Sequence, residues 1–208
     1  PISYADLGIS GITKVYDGSV YMNNLAVSTT TGFLPGDGVA VSASGNFQTK
    51  NVGSGIGYTV GITLSDAVPG SLASGNYIIG TSQPYTGSNG SITQLNSVTY
   101  TGPNTGGAWS NPANWTTTGT TAVGAIPDLS NVANVIIPSG STVVYDNAVA
   151  GPVQTTVANS GVLDINLSNA ASMPMNINGT GSVIVAGAGR ITLTGNSSYS
   201  GNTVLDSG

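Results

Sequence analysis

Gly140-Ser141-Thr142-Val143-Val144-Tyr145, Gly161-Val162-Leu163-Asp164-Ile165 and Gly181-Ser182-Val183-Ile184-Val185 repeat one pattern: a glycine, then a short aliphatic run. The glycines at 140, 161 and 181 recur after about twenty residues. That is the length of one three-strand coil of a parallel β-helix. Each coil turns alternate Val, Ile and Leu inward, and stacking supplies the hydrogen bonds that a lone coil lacks. Asn, Ser and Thr between the runs suit corners and can form ladders.

Working outward, similar runs of three to six residues flank these. They are Asn134–Ile137, Val153–Val157, Met175–Ile177, Arg190–Thr194 and Thr203–Leu205. Upstream lies a tryptophan-bearing stretch, Gly107-Ala108-Trp109-Ser110-Asn111-Pro112-Ala113-Asn114-Trp115. Before it the punctuation changes. Gly11–Tyr16, Val39–Ser42, Tyr58–Leu64, Tyr77–Gly80 and Gly90–Leu95 read as strands. Turns at Asp17-Gly18, Gly36-Asp37-Gly38, Gly53-Ser54-Gly55 and Pro69-Gly70 divide them. No segment keeps a helical apolar period. The expected fold is therefore all-β: a small antiparallel β module over residues 1–97, then the start of a right-handed parallel β-helix over residues 98–208.

Composition agrees and excludes whole classes of function. The chain has 208 residues and only three Lys or Arg against eight Asp, for a net charge of -5, with no Glu, His or Cys. An ordinary domain of this size would carry roughly fifty charged residues. Zinc sites built on Cys or His, a Ser-His-Asp triad and a cysteine nucleophile are impossible. Three cations cannot neutralise a run of phosphates, so no nucleic-acid partner is expected. No run approaches 18 apolar residues, so no transmembrane segment is expected. The chain opens on Pro1 without a signal-like segment and reads as an excised piece of a longer protein.

Several short motifs then carry a resemblance. Lys14-Val15-Tyr16-Asp17-Gly18, Phe47-Gln48-Thr49-Lys50-Asn51-Val52-Gly53-Ser54-Gly55, Gly61-Ile62-Thr63-Leu64 and Gly75-Asn76-Tyr77 occur in that order. Over about residues 8–95 the chain resembles the YDG module of haemagglutinin-like bacterial adhesins. Ile191-Thr192-Leu193-Thr194-Gly195-Asn196, with Tyr199-Ser200-Gly201-Asn202-Thr203-Val204, is similar to the autotransporter-associated β-strand repeat. The stretch from Trp109 to Trp115 resembles segments that begin a β-helix in such exoproteins. The resemblance implies a fibrous adhesin stalk, exported by a two-partner or autotransporter-like route and held at the bacterial cell surface. It implies no catalysis and no cofactor. The partners it implies are surface glycans or proteins, or neighbouring copies of the fibre.

Few residues offer site chemistry. Trp109 and Trp115, if exposed, could stack on a sugar ring; if buried, they cap the first coil, and the cap is the favoured reading. Exposed tyrosines are the other candidates for a glycan. Lys14 and Lys50 both fall in motif positions. Either could form an isopeptide bond to Asn or Asp, against the plainer pairing with Asp17 or turn carbonyls. Asp6, Asp17, Asp37 and Asp66 are too scattered for a calcium loop, which needs six to eight oxygens. Asp146 and Asp164 lie about one coil apart and could stack as a carboxylate pair for glycoside cleavage. Against this, Asp at a corner is commonly a ladder or turn residue.

Overall fold

The computed structural model describes residues 3–80, 83–128, 130–146 and 155–206. These divide into two compact units: residues 1–14 with 20–92, and residues 15–19 with 93–208. The division falls before residue 97 because Leu95–Tyr100 is already a strand of the second unit.

The first unit holds eight strands or parts of them: β1 (Ser3–Ile9), β2 (Thr13–Val15), β3 (Tyr21–Met22), β4 (Val27–Thr31), β5 (Val39–Phe47), β6 (Gly53–Asp66), β7 (Tyr77–Ile79) and β8 (Tyr85–Thr93). They form a three-stranded sheet, β4-β1-β7, and a five-stranded sheet, β2-β8-β6-β5-β3. Strand β6 shows why. Ile56, Tyr58, Val60 and Ile62 are buried while Thr59, Gly61 and Thr63 are exposed, the period of two that a half-buried strand requires. Its partner β5 runs antiparallel, with Phe47 opposite Tyr58 and Ala43 opposite Ile62. One pairing departs from the expected antiparallel plan: β1 and β7 are parallel, Ser3 opposite Tyr77.

The second unit is a parallel β-solenoid of about three turns. Its strands are β9 (Leu95–Tyr100), β10 (Gly107–Ala108), β11 (Trp115–Thr117), β12 (Val132–Ile137), β13 (Thr142–Tyr145), β14 (Thr156–Asn159), β15 (Val162–Ile165), β16 (Ala171–Met173), β17 (Asn176–Asn178), β18 (Ser182–Val185), β19 (Ile191–Leu193) and β20 (Thr203–Leu205). They stack into sheets ordered β11-β9-β12-β14-β17, β10-β13-β15-β18-β20 and β16-β19. Val143, Leu163, Val183 and Thr203 stand in one column, each twenty residues after the last. Ala171 and Ile191 keep the same step. The turn between β12 and β13 is two residues longer than that between β14 and β15, so Val135 lies opposite Val157, twenty-two residues on.

The interior columns are aliphatic: Val98, Val135, Val157 and Ile177 are fully buried, as are Leu163 and Val183. Glycine sets the corner. A Cβ on Gly161 would meet the Ser141 carbonyl oxygen at 2.3 Å, one on Gly181 the Gly161 oxygen at 2.4 Å, and one on Gly201 the Gly181 oxygen at 2.2 Å. The coils touch backbone to backbone there, so any side chain would force them apart. Asn159, fully buried beside this column, donates through Nδ2 to the Ser182 carbonyl and accepts from Gly161 N–H. Among the described residues no helix is long and apolar enough to cross a membrane.

Candidate functional site

The chemistry-bearing side chains of the solenoid gather at its first coil. Trp109 and Trp115 are 2% and 0% exposed. Neither can offer a ring face to a sugar, so the glycan-stacking role considered for this pair is removed. The rings meet edge to face, 4.9 Å between centroids. Tyr145 packs on Trp109 at 5.1 Å and Tyr100 on Trp115 at 5.5 Å. Each indole N–H is satisfied: Trp115 Nε1 donates to the Trp109 carbonyl at 2.8 Å, and Trp109 Nε1 to the Pro127 carbonyl at 3.1 Å. Outside them β11 runs antiparallel to β9, with Trp115 opposite Tyr100. An antiparallel strand thus covers the first parallel edge, and four aromatic rings fill the space under it. That protects an edge that would otherwise pair with another chain.

The Tyr-Asp-Gly turn belongs to the same region, since residues 15–19 group with the second unit. Tyr16 is buried, and its hydroxyl donates within 3.0 Å of both the Ile126 carbonyl and Asp128 Oδ1. Burial first, and the Asp128 charge second, push its pKa far above the ordinary phenol value. Asn131 Nδ2 donates to the same Oδ1 at 2.7 Å. Gly18 has φ +83°, and a Cβ there would lie 2.1 Å from the Gly124 carbonyl oxygen. Asp17 closes the turn by accepting from the Ser19 N–H and hydroxyl, both at 2.9 Å. The motif is a packed corner.

At the far end β17, β19 and β20 are the last strands of their sheets. A cleft of about 460 Å³ opens there, lined by Val185, Gly187, Ile191, Leu193 and Leu205 among others. Leu205 is 79% exposed. The interior column that closes over Val143 and Leu163 is open at this end.

Lys14 Nζ donates to the Tyr21 carbonyl at 2.9 Å, and both Lys14 and Lys50 are half-exposed. The carboxylates mostly hold backbone. Asp66 accepts from Ser74 N–H at 2.8 Å and Leu72 N–H at 2.9 Å, which lowers its pKa. Asp37 accepts from the Tyr77 hydroxyl. The side chain of Asp6 lies outside the described residues. Among the described residues no three carboxylates gather to hold a metal ion.

Asp146 and Asp164 do not stack. The coil is twenty residues, so Asp164 stands opposite Val144 rather than Asp146. Asp146 is occupied by the N–H and hydroxyl of Ser110. Asp164 is the unusual acid: its Oδ1 is buried with no hydrogen-bond partner. Desolvation, then the charge of Asp206, raises its pKa. Sequence reasoning missed this because the register error was only two residues.

Residues 5–87 match the YDG domain family, so a YDG domain is found there. Neither the curated proteins nor the solved structures hold a match to the chain.

Proposed function

We propose that this chain is a non-catalytic structural and adhesive segment of a large exported surface protein, in which a YDG domain precedes a β-solenoid. The observation that carries the reading is the coil-to-coil column of Gly161, Gly181 and Gly201, each pressed on the carbonyl of the coil before it. Such stacking builds length by repetition and needs neither metal nor disulfide to close. The solenoid is sealed at its beginning by Trp109 and Trp115. A chain with so little charge and no cysteine can also cross a secretion pore unfolded and fold outside, as the resemblance to two-partner and autotransporter passengers implies.

The carboxylates support the absence of catalysis. Asp17, Asp37, Asp66, Asp128 and Asp146 each accept hydrogen bonds that hold a turn or a tyrosine. The test is adhesion. Beads coated with the chain are expected to hold to epithelial cells, or to bacteria displaying the same chain, more than beads coated with an equally acidic control. Equal retention on every surface removes the adhesive part. Turnover of any polysaccharide that is lost in Asp164→Asn removes the non-catalytic part.

A further inference from the structure

We propose that the outward face of the YDG domain's five-stranded sheet, around Tyr21, binds a neutral oligosaccharide. The reading is independent of the scaffold proposal: a stalk without a sugar site would still be a stalk.

Three observations coincide on this face. First, Tyr21 on the edge strand β3 is 64% exposed, although the outward neighbours on β5 and β6 are small or polar. It stands opposite Asn46, Asn46 opposite Thr59, and Thr59 opposite Thr86, making one row across four strands. With strands about 4.8 Å apart that row spans about 14 Å. A second row sets Ser44 opposite Gly61, and a third links Ser42 to Thr63 through their hydroxyls at 2.6 Å. Second, the surface is dished. A depression of about 390 Å³ is bounded by Tyr21, Asn23, Ser44, Asn46, Thr59 and Gly61. Third, Gly61 has no packing reason to be glycine. A Cβ there meets nothing within 4 Å, and its φ lies outside the left-handed region. In the middle of a long strand glycine is less favourable than alanine. What the missing side chain does is keep the floor of the depression clear.

The chemistry of the lining selects the ligand class. It consists of one phenol ring, carboxamides and hydroxyls. Lys14, on β2 at the other edge of the sheet order, has its ammonium donating to the Tyr21 carbonyl. An apolar partner would bury the amides of Asn23 and Asn46 without replacing their hydrogen bonds to water, which is costly. A polyanion would find no cluster of cations. A neutral sugar satisfies both halves: its C–H face covers the Tyr21 ring, and its hydroxyls both donate to and accept from Asn and Thr. An exposed aromatic alone would mean little; with the depression and the unneeded glycine it marks a place kept open.

The test uses the full chain, isotope-labelled, titrated with cellohexaose, maltohexaose and mannohexaose, and separately with hexagalacturonate as the anionic arm. One neutral hexasaccharide is expected to shift the amides of Tyr21, Asn23, Ser44, Asn46, Thr59 and Gly61. Two variants should each weaken it by about tenfold or more. Tyr21→Ala removes the platform. Gly61→Val fills the floor while adding a residue that strands favour, so its Tm should not fall. The proposal is overturned if none of the neutral saccharides moves these amides at millimolar concentration, if only hexagalacturonate does, or if binding survives both variants.

Discussion

Trp115 is bound to Trp109 through two different contacts: its indole N–H donates to the Trp109 carbonyl at 2.8 Å, and its ring meets the other edge to face. The pair therefore holds the turn between β10 and β11 closed as well as filling the first coil. Trp115→Ala should cost about 3–5 kcal/mol of stability, the range for losing a buried large aromatic. Trp115→Phe should cost less but still leave the Trp109 carbonyl short of a donor. Urea denaturation followed by hydrogen exchange on β12 and β13 measures both. A loss below about 1 kcal/mol for the alanine variant would show that the cap is not holding the coil.

Two glycines make opposite predictions for the same added methyl group. On Gly181 the methyl would sit 2.4 Å from the Gly161 carbonyl oxygen and 2.6 Å from Asn159 Oδ1, neither of which is a free side-chain tip. Gly181→Ala should destabilise the solenoid by about 1–3 kcal/mol. On Gly61 the methyl meets nothing, and Gly61→Ala should be neutral or gain up to about 1 kcal/mol by restricting the unfolded chain. Equal effects from the two would mean that the coils are not in backbone contact.

Asp164 gives a pH dependence with a definite sign. Its folded pKa is raised, by desolvation first and Asp206 second. The folded state therefore favours the protonated acid. The stability this contributes is present at low pH and is lost as pH rises from the ordinary carboxylate value through the raised one. Asp164→Asn should accordingly stabilise at neutral pH, by up to about 1 kcal/mol given the partial exposure, and the gain should vanish in acid. Thermal melts of both proteins across the acid range decide it. A gain that persists at low pH would place the cause in something other than the charge.

The twenty-residue step was legible because Gly140, Gly161 and Gly181 stand beside aliphatic runs about twenty residues apart. Strands at Thr142–Tyr145 and Thr203–Leu205 match their expected bounds. What was not legible had weak local signals. β4 reads Val27-Ser28-Thr29-Thr30-Thr31, with no aliphatic alternation, and β3 has two residues. β9 straddles the expected domain boundary, and β11 is a strand only because it pairs back on β9. The expected run at Val153–Val157 falls partly outside the described residues; the strand begins at Thr156. Tyr21 could not be singled out in advance, because its exposure depends on which neighbours β5 and β6 bring beside it.

The closure of the solenoid by glycine, Asn159 and aromatic packing predicts indifference to chelators and reductants. The chain has no Cys to reduce. Melts with and without EDTA, and with and without dithiothreitol, should superimpose, and a clear fall in Tm with EDTA would point to a structural cation. The half-exposed Lys14, hydrogen-bonded to a carbonyl, predicts an intact mass equal to that of the sequence. A mass short by one ammonia or one water would instead show a covalent lysine bridge.

Asp66 should make the YDG domain sensitive to acid. Its carboxylate accepts from the Ser74 N–H and then the Leu72 N–H, holding a turn in which Leu72 has the left-handed φ of +57°. Those bonds favour the charged form and lower its pKa below the ordinary value of 3.8. For a depressed carboxylate the stabilisation is complete above that ordinary value and disappears as pH falls through the lowered one. Asp66→Ala should therefore lower the Tm of the first unit at about pH 6, and the difference should shrink as pH falls through the lowered value and the carboxylate takes up its proton. Because the group is at the surface, added salt should shrink the difference at the higher pH. Amide exchange at Leu72 and Ser74 reads the same event locally. If these two amides exchange no faster in the variant at about pH 6, the carboxylate is not what holds the turn.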